Sequence, residues 1–251
     1  MKLFYTEFEP EGILGKFFLE ASKFEVKEKV KENFQLMFDY SSSLIVILDK
    51  KTEKAIFKIA GYRDERIKID LAVNSTLYIF KFKPEIFFLI NKGEIERFRN
   101  KVVSFDEIKV KEKINSEEEL IKILMLHFNN IDADTSDLKD YIPVSIKIIL
   151  ENNGVFKIDD IVSKAGVSIR QFQREFKKVT GFSPKEFSSM VRVSSLTNEL
   201  VKDDVSLPDI FFNYGFYDQA HFNKEFKKII GANPSLFESR QKLIKYLKLL
   251  K

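Results

Sequence analysis

Arg170, Gln173 and Arg174 lie within one turn and a half of helical spacing, and Gln219, His221, Asn223 and Lys224 form a second such group further along. Arginine can donate two parallel hydrogen bonds to guanine O6 and N7, and an amide side chain can pair with adenine N6 and N7. Lysine and histidine add further donors. With Lys177, the first group follows i, i+3, i+4, i+7, so on a helix these side chains share one face. Lys177, Lys178, Lys227 and Lys228 suit phosphate contacts, which supply salt-dependent affinity without sequence choice. A solvated amphipathic helix would carry the same charges, so charge alone decides nothing.

Other chemistry is poorly represented. The chain has two histidines, His127 and His221, and neither has a His or Cys neighbour at metal-ligand spacing. No glycine-rich phosphate loop and no G-x-S-x-G nucleophile motif occurs. Asp64-Glu65 reads as ordinary surface, and His127 as a packing or surface residue of a helix. Cysteine is absent, so disulfides and thiol chemistry are excluded. No catalytic residue, metal or cofactor is expected, and no residue identifies a small-molecule site.

The two donor groups sit inside a duplicated phrase. FQREFKKVTGFSPKEF (172–187) returns as FNKEFKKIIGANPSLF (222–237), identical at eight of sixteen positions. The likeness extends upstream, through IDDIVSKAGVSIRQFQREF (158–176) and LPDIFFNYGFYDQAHFNKEF (207–226). Ile161 and Gly166 align with Ile210 and Gly215 at an offset of 49, which becomes 50 afterwards, so the second turn holds one extra residue. A short apolar helix, a glycine turn and a second helix make a helix-turn-helix, whose second helix can enter a major groove. Ile169, Phe172, Phe176 and Val179 are expected to be the buried stripe of the first such helix, about 168–180. Phe222, Phe226 and Ile229 are the stripe of the second, about 218–230. Gly181 and Gly231 should end these helices, and Pro184 and Pro234 begin the next. A helix from about Pro184 to Lys202 then joins the units; two recognition helices enter successive grooves when about 34 Å apart.

At 251 residues the chain is long enough for two domains. Its 44% hydrophobic and 32% charged residues fit a globular protein rather than a disordered or membrane one. Acids and a proline in MKLFYTEFEPEG replace the apolar core of a secretion signal, so a cytoplasmic location is expected. Residues 1–140 hold 24 Lys and Arg against 26 Asp and Glu, a net of −2, while 141–251 hold 18 against 12, a net of +6. The basic excess lies in the duplicated half, as a polyanion partner would require.

The first hundred residues read as strands: FYTEFEP, GKFFLEA, KFEVKE, FQLMFDY, SLIVILD, KAIFKIAGY, RIKIDLAV and STLYIFKFKP, with turns at 9–12, 41–43, 49–51 and Asn74-Ser75. EIFFLINKGEIERFRNK, after Pro84, is ambiguous, with a helical turn among its readings. Ser116 to Glu119 opens a helix ending near Asn130, with Leu120, Ile121, Leu124 and Phe128 at helical spacing. The fold class is therefore α+β with two domains. A β-rich barrel or sandwich with trailing helices occupies 1–130, a linker closed by Pro143 occupies 131–143, and an all-α domain of two helix-turn-helix units occupies 144–251. The tail places Leu243, Leu247 and Leu250 opposite lysines, as a last helix packed on the second unit or on a partner; membrane binding is the minor alternative.

GVSIRQFQREFKKVTGFSPKEF and GFYDQAHFNKEFKKIIGANPSLF resemble the paired helix-turn-helix domain of AraC-type transcriptional regulators, over roughly 144–240. The resemblance implies base reading at Arg170, Gln173 and Arg174, and at Gln219, Ala220, His221, Asn223 and Lys224, with Ala220 limited to methyl contact. It departs where Phe211 and Leu196 replace small residues, and Phe211 calls for a roomier pocket. RIKIDLAVNSTLYIFKFKPEIFFLINKGEIERFRNKVVSFDEI resembles, more weakly, the cupin-like sensory domain of one subgroup, without the histidine cluster of a metal-bearing cupin. The partners implied are double-stranded DNA, a small-molecule effector if the first half senses one, RNA polymerase if the protein activates, and a second copy of the chain. Two rivals stay open: a helical protein-interaction scaffold that binds DNA without preference, and an enzyme in the β-rich half carried to DNA by the helices.

Overall fold

The two central strands of the first half's sheet, Ser43–Asp49 and Ser75–Phe82, are buried nearly throughout because the sheet is covered on both faces. The computed structural model describes residues 3–27, 34–36, 38–108, 113–114, 116–131, 135–136, 138–202 and 211–234. The chain divides into two units, Met1–Leu36 with Ser41–Thr135, and Met37–Tyr40 with Ser136–Leu250.

In the first unit, strand β1 (Leu3–Phe8) is followed by a helical turn, α1 (Leu14–Phe17), and by β2 (Phe18–Val26). Then come β3 (Phe34–Leu36), β4 (Ser43–Asp49), β5 (Lys54–Ala60), β6 (Ile67–Ile69), β7 (Ser75–Phe82), helix α2 (Pro84–Ile90), β8 (Val102–Ser104) and helix α3 (Glu117–Asn129). Six strands form an antiparallel sheet in the order β1-β2-β7-β4-β5-β8, and β3 pairs with β6 as a separate ladder. Side chains alternate between faces along a strand. One face carries Phe24, Ile45, Ile47, Ala60 and Leu77, which cluster with Leu36 and Ile69 of the small ladder. The opposite face is aromatic: the Phe18 ring lies 4.6 Å from Phe82 and 4.9 Å from Phe128 of α3. Of the barrel and sandwich that the strand pattern allowed, the described residues make the layered form: a six-stranded sheet with a two-stranded ladder over one face and helices over the other.

Helix α3 starts where Ser116 Oγ accepts a hydrogen bond from Glu119 N at 3.2 Å, with three glutamates in its first turn facing the positive end of the helix dipole. Leu120, Leu124 and Phe128 are fully buried, as their spacing predicts, while Ile121 is only half-buried. Lys23 Nζ meets Glu117 at 2.7 Å and Tyr78 Oη donates to the same carboxylate at 3.2 Å, fastening the helix start to β2 and β7.

Three sequence expectations change. GKFFLEA and KFEVKE belong to one strand, β2, entered from α1 and carrying an irregularity between Phe18 and Glu20. EIFFLINKGEIERFRNK is more than a turn: it forms α2, with Pro84 at its first turn, and a 3-10 turn at Ile95–Phe98. β8 was not foreseen, because three residues show no alternation.

In the second unit α4 (Tyr141–Glu151), α5 (Ile158–Ala165), α6 (Ile169–Thr180) and α7 (Pro184–Lys202) precede a 3-10 turn at Phe211–Tyr214 and α8 (Gln219–Ile230). Pro143, expected to close the linker, instead lies in the first turn of α4, where its missing N–H costs nothing. Leu243, Leu247 and Leu250 of the basic tail, and Ile210, lie outside the described residues.

His127 faces Phe105 and Phe128 edge-on, at 5.7 and 5.1 Å, and its Nε2 is buried without a hydrogen-bond partner. Burial holds its pKa below the ordinary histidine value, against an opposing pull from Glu107. The unfolded chain therefore takes up a proton that the folded one resists. Stability that is fully present above about pH 6.5 declines as pH falls from there toward the lower folded value. The thermal midpoint of the first unit should drop between pH 7.5 and 5.5, and His127→Gln should flatten that drop; an unchanged slope in the variant would refute the assignment.

Candidate nucleic-acid interface

Both second helices begin on a side-chain cap and end on a left-handed glycine. Ser168 Oγ accepts from Gln171 N at 3.2 Å, and Asp218 Oδ1 accepts from His221 N at 2.7 Å. Gly181 and Gly231, at φ +81° and +76°, return their N–H groups to the carbonyls of Lys177 and Lys227. Between Gly166 and α6 the turn is Gly166-Val167-Ser168, and between Gly215 and α8 it is Gly215-Phe216-Tyr217-Asp218, which contains the extra residue read from the repeat.

Each helix buries its Phe stripe. Phe172, Phe176 and Val179 are buried, as are Phe222, Phe226 and Ile229. Arg170, Gln173, Arg174, Lys177 and Lys178 are exposed on α6. On α8, Gln219, Ala220, Asn223, Lys224, Lys227 and Lys228 are exposed. His221 is half-buried, its ring 5.5 Å from Phe216 and 5.6 Å from Tyr217. The backbone N–H of Tyr217 approaches its Nδ1 at 3.5 Å. One position departs from the sequence reading: Ile169, expected in the stripe, is 43% exposed. It heads the helix, one turn before the core is reached, and aligns with the exposed Gln219 of the second copy.

The two donor faces are carried by one helix. α7 starts with a reciprocal cap, Ser183 N donating to Glu186 Oε2 at 3.0 Å and Glu186 N to Ser183 Oγ at 3.3 Å. The Ser183 hydroxyl holds the Glu186 carboxyl below its usual range, and Lys228 and Lys177 reinforce this. Lysines of both second helices thus act electrostatically on a common carboxylate. Further along, the Ser188 hydroxyl donates to the carbonyl of Gly154, which follows α4. A Cβ at Gly154 would stand 2.3 Å from Ser188 O and 2.8 Å from Arg192 N, and its φ is +82°. Only glycine permits that approach.

Arg192 reaches the second helix-turn-helix. Its Nη1 donates to Gly215 O at 3.1 Å and Nη2 to Ser188 Oγ at 3.4 Å, while the guanidinium lies 5.2 Å over the Phe216 ring. Nε is buried without a partner, and burial lowers the guanidinium pKa, with Glu225 opposing. Ser189 donates to Glu225 of α8, and Tyr214 to Glu199 of α7. Phe211 is buried and stacks on Phe222 with centroids 5.7 Å apart and planes at 16°, so its bulk is absorbed by an aromatic neighbour. Leu196 is fully buried.

Sequence reasoning missed Arg192, whose signal was its being the one cation of α7 between Lys185 and Lys202. It also missed Glu175, whose Oε1 accepts from Arg174 Nε and Nη2 at 3.1 and 2.9 Å. Tyr217, 88% exposed beside the cap of α8, went unnoticed too. Among the described residues no group of three His, Cys, Asp or Glu is placed to hold a metal ion, and no helix is long and apolar enough to cross a membrane.

Gly154→Ala should cost about 2 kcal/mol or more, since it combines a left-handed φ with a backbone clash. Gly166→Ala, at φ +65° but with open space around the added carbon, should cost about 1 kcal/mol. Melting curves of the two variants check the order; a Gly154→Ala variant as stable as Gly166→Ala would contradict it.

Residues 161–240 match the family described as a helix-turn-helix domain. The HTH-type transcriptional activator RhaS of Klebsiella pneumoniae (strain 342) is 31% identical over 65 residues, 26% of this chain and 23% of that protein. The probable transcription factor PqrA of Proteus vulgaris is 37% identical over 73 residues, 29% of this chain and 60% of that protein. In each case the match therefore spans less than two thirds of the relative's length. Among solved structures, ToxT from Vibrio cholerae O395 has a TM-score of 0.47 at 11% identity, with 98% of each chain covered. The C-terminal domain of AraT from Geobacillus stearothermophilus has a TM-score of 0.38 at 19% identity, covering 43% of this chain and 88% of that one.

Proposed function

We propose that this chain, whose residues 161–240 match a helix-turn-helix domain, is a transcription regulator of the AraC type that reads double-stranded DNA through α6 and α8 in successive major grooves. The observation that carries the reading is the duplicated, capped helix with its donor face outward, twice fastened to α7. Arg170, Gln173 and Arg174 of α6, and Gln219, His221, Asn223 and Lys224 of α8, are the base-reading set; Lys177, Lys178, Lys227 and Lys228 are the phosphate set. The names of RhaS and PqrA, both transcription factors, support the regulatory role rather than catalysis.

The first unit is assigned the sensing or dimerising role. A cavity of about 420 Å³, lined by Phe82, Phe87, Phe98 and Phe105 with Asn91 and Arg97, supports an effector site there. The boundaries 1–130, 131–143 and 144–251 belong to this reading, with RNA polymerase as partner if the protein activates.

Selection from a random-sequence duplex pool at near-physiological salt should return a motif in two parts about one helical turn apart; retention of unselected DNA alone would instead favour the scaffold reading. Arg174→Ala should cost about 1–3 kcal/mol on the selected site and relax specificity at one base pair. Lys178→Ala should weaken selected and random DNA alike and reduce the salt slope by about one. Parallel losses for Arg174→Ala, measured by fluorescence anisotropy, would make it a phosphate contact.

A further inference from the structure

Neighbouring residues on a helix point in different directions, and side chains one apart do not ordinarily face each other. Arg174 nevertheless turns toward Glu175, whose Oε1 accepts from both Nε and Nη2. Arg174 is 72% exposed and Glu175 20%. So exposed an ion pair contributes little to stability. Its consequence is geometric. The carboxylate occupies the Nε/Nη2 edge of the guanidinium and leaves the Nη1/Nη2 edge, two parallel donors of the spacing that guanine O6 and N7 accept. A side chain already held in one rotamer loses less freedom on binding than a mobile one.

The duplication supplies an internal comparison. Glutamate recurs at this position as Glu225, but there its carboxylate accepts from Ser189 of α7 and serves to fasten α8. The neighbour at the place of Arg174 is Lys224, which has no planar fork to orient. The same residue therefore faces inward to the linker helix in one copy and sideways to an arginine in the other.

We infer that Glu175 is a positioning residue for base reading: it holds the Arg174 guanidinium with its Nη1/Nη2 edge available to guanine and offsets the charge that would otherwise attract any phosphate. The inference rests on the proposal that α6 enters the major groove. Four full-length proteins test it: the unaltered chain, Arg174→Ala, Glu175→Gln and the double variant. Each is titrated at fixed salt with a site recovered by selection, with that site changed at the G·C pair to which Arg174 responds, and with random duplex. Melting temperatures are recorded in parallel.

Glu175→Gln should lower discrimination at that one pair about tenfold, while affinity for random duplex holds or rises because a negative charge is gone. In the Arg174→Ala background it should change discrimination at no position. Undiminished discrimination in Glu175→Gln overturns the inference and leaves the DNA-reading proposal standing. A parallel loss on selected and random DNA, with a lowered melting temperature, also overturns it by making Glu175 structural. If Arg174→Ala alters discrimination nowhere, base reading by Arg174 falls and the inference falls with it.

Discussion

The approach of α7 to the Gly154 turn is the constraint on which the second unit depends. A backbone-to-backbone approach needs a residue without a Cβ and with a left-handed φ, and Gly154 meets both demands. Ser188 uses that closeness to donate to the Gly154 carbonyl, and Arg192, one turn on, spans to the Gly215 carbonyl. Val155 and Gly215 are then near neighbours with little room between them: a Cβ at Gly215 would stand 3.0 Å from Val155 Cγ2. The two glycine turns are thereby tied to one rigid element. The placement of the second turn against α7 is set by such ties rather than by anything in α8 itself.

Arg192 is an expensive way to make this tie. A guanidinium with a buried, unpartnered Nε loses hydration that hydrogen bonds only partly replace. Its geometry explains why a cation serves there. The planar fork reaches Ser188 on its own helix and Gly215 across the gap, while the guanidinium lies over Phe216. An apolar side chain could fill the space but could not fix both partners. Around it the second helix-turn-helix is attached by further polar ties, Ser189 to Glu225 and Glu199 to Tyr214, and is braced by the Phe211–Phe222 stack.

The first unit solves a different problem. Its sheet is buried on two faces, so its central strands show almost no polar alternation, and β4 reads Ser-Leu-Ile-Val-Ile-Leu-Asp. The aromatic face is closed by α3 through Phe128, and the other face by the β3-β6 ladder through Leu36 and Ile69. Most phenylalanines of this half are thus consumed in packing, which is what their frequency alone suggested. Those at the edge, Phe87, Phe98 and Phe105, also wall the cavity beside Arg97.

The sequence by itself determined the elements whose causes are local. The capping serines and Asp218, the left-handed glycines and the i, i+3, i+7 stripes act over a single turn, so the limits of α3, α6 and α8 were legible to within a residue or two. The extra residue of the second turn was legible because a duplicated phrase carries its own ruler. Tertiary structure decided what depends on residues far apart in the chain. It merged two expected strands into β2, because continuity is set by pairing with β7 and not by composition. It exposed Ile169, because a helix's first turn lies beyond the core that its stripe packs against. It also decided that Glu175 and Glu225, identical in the repeat, hold different partners: what a carboxylate accepts depends on which donors the fold brings within about 3 Å.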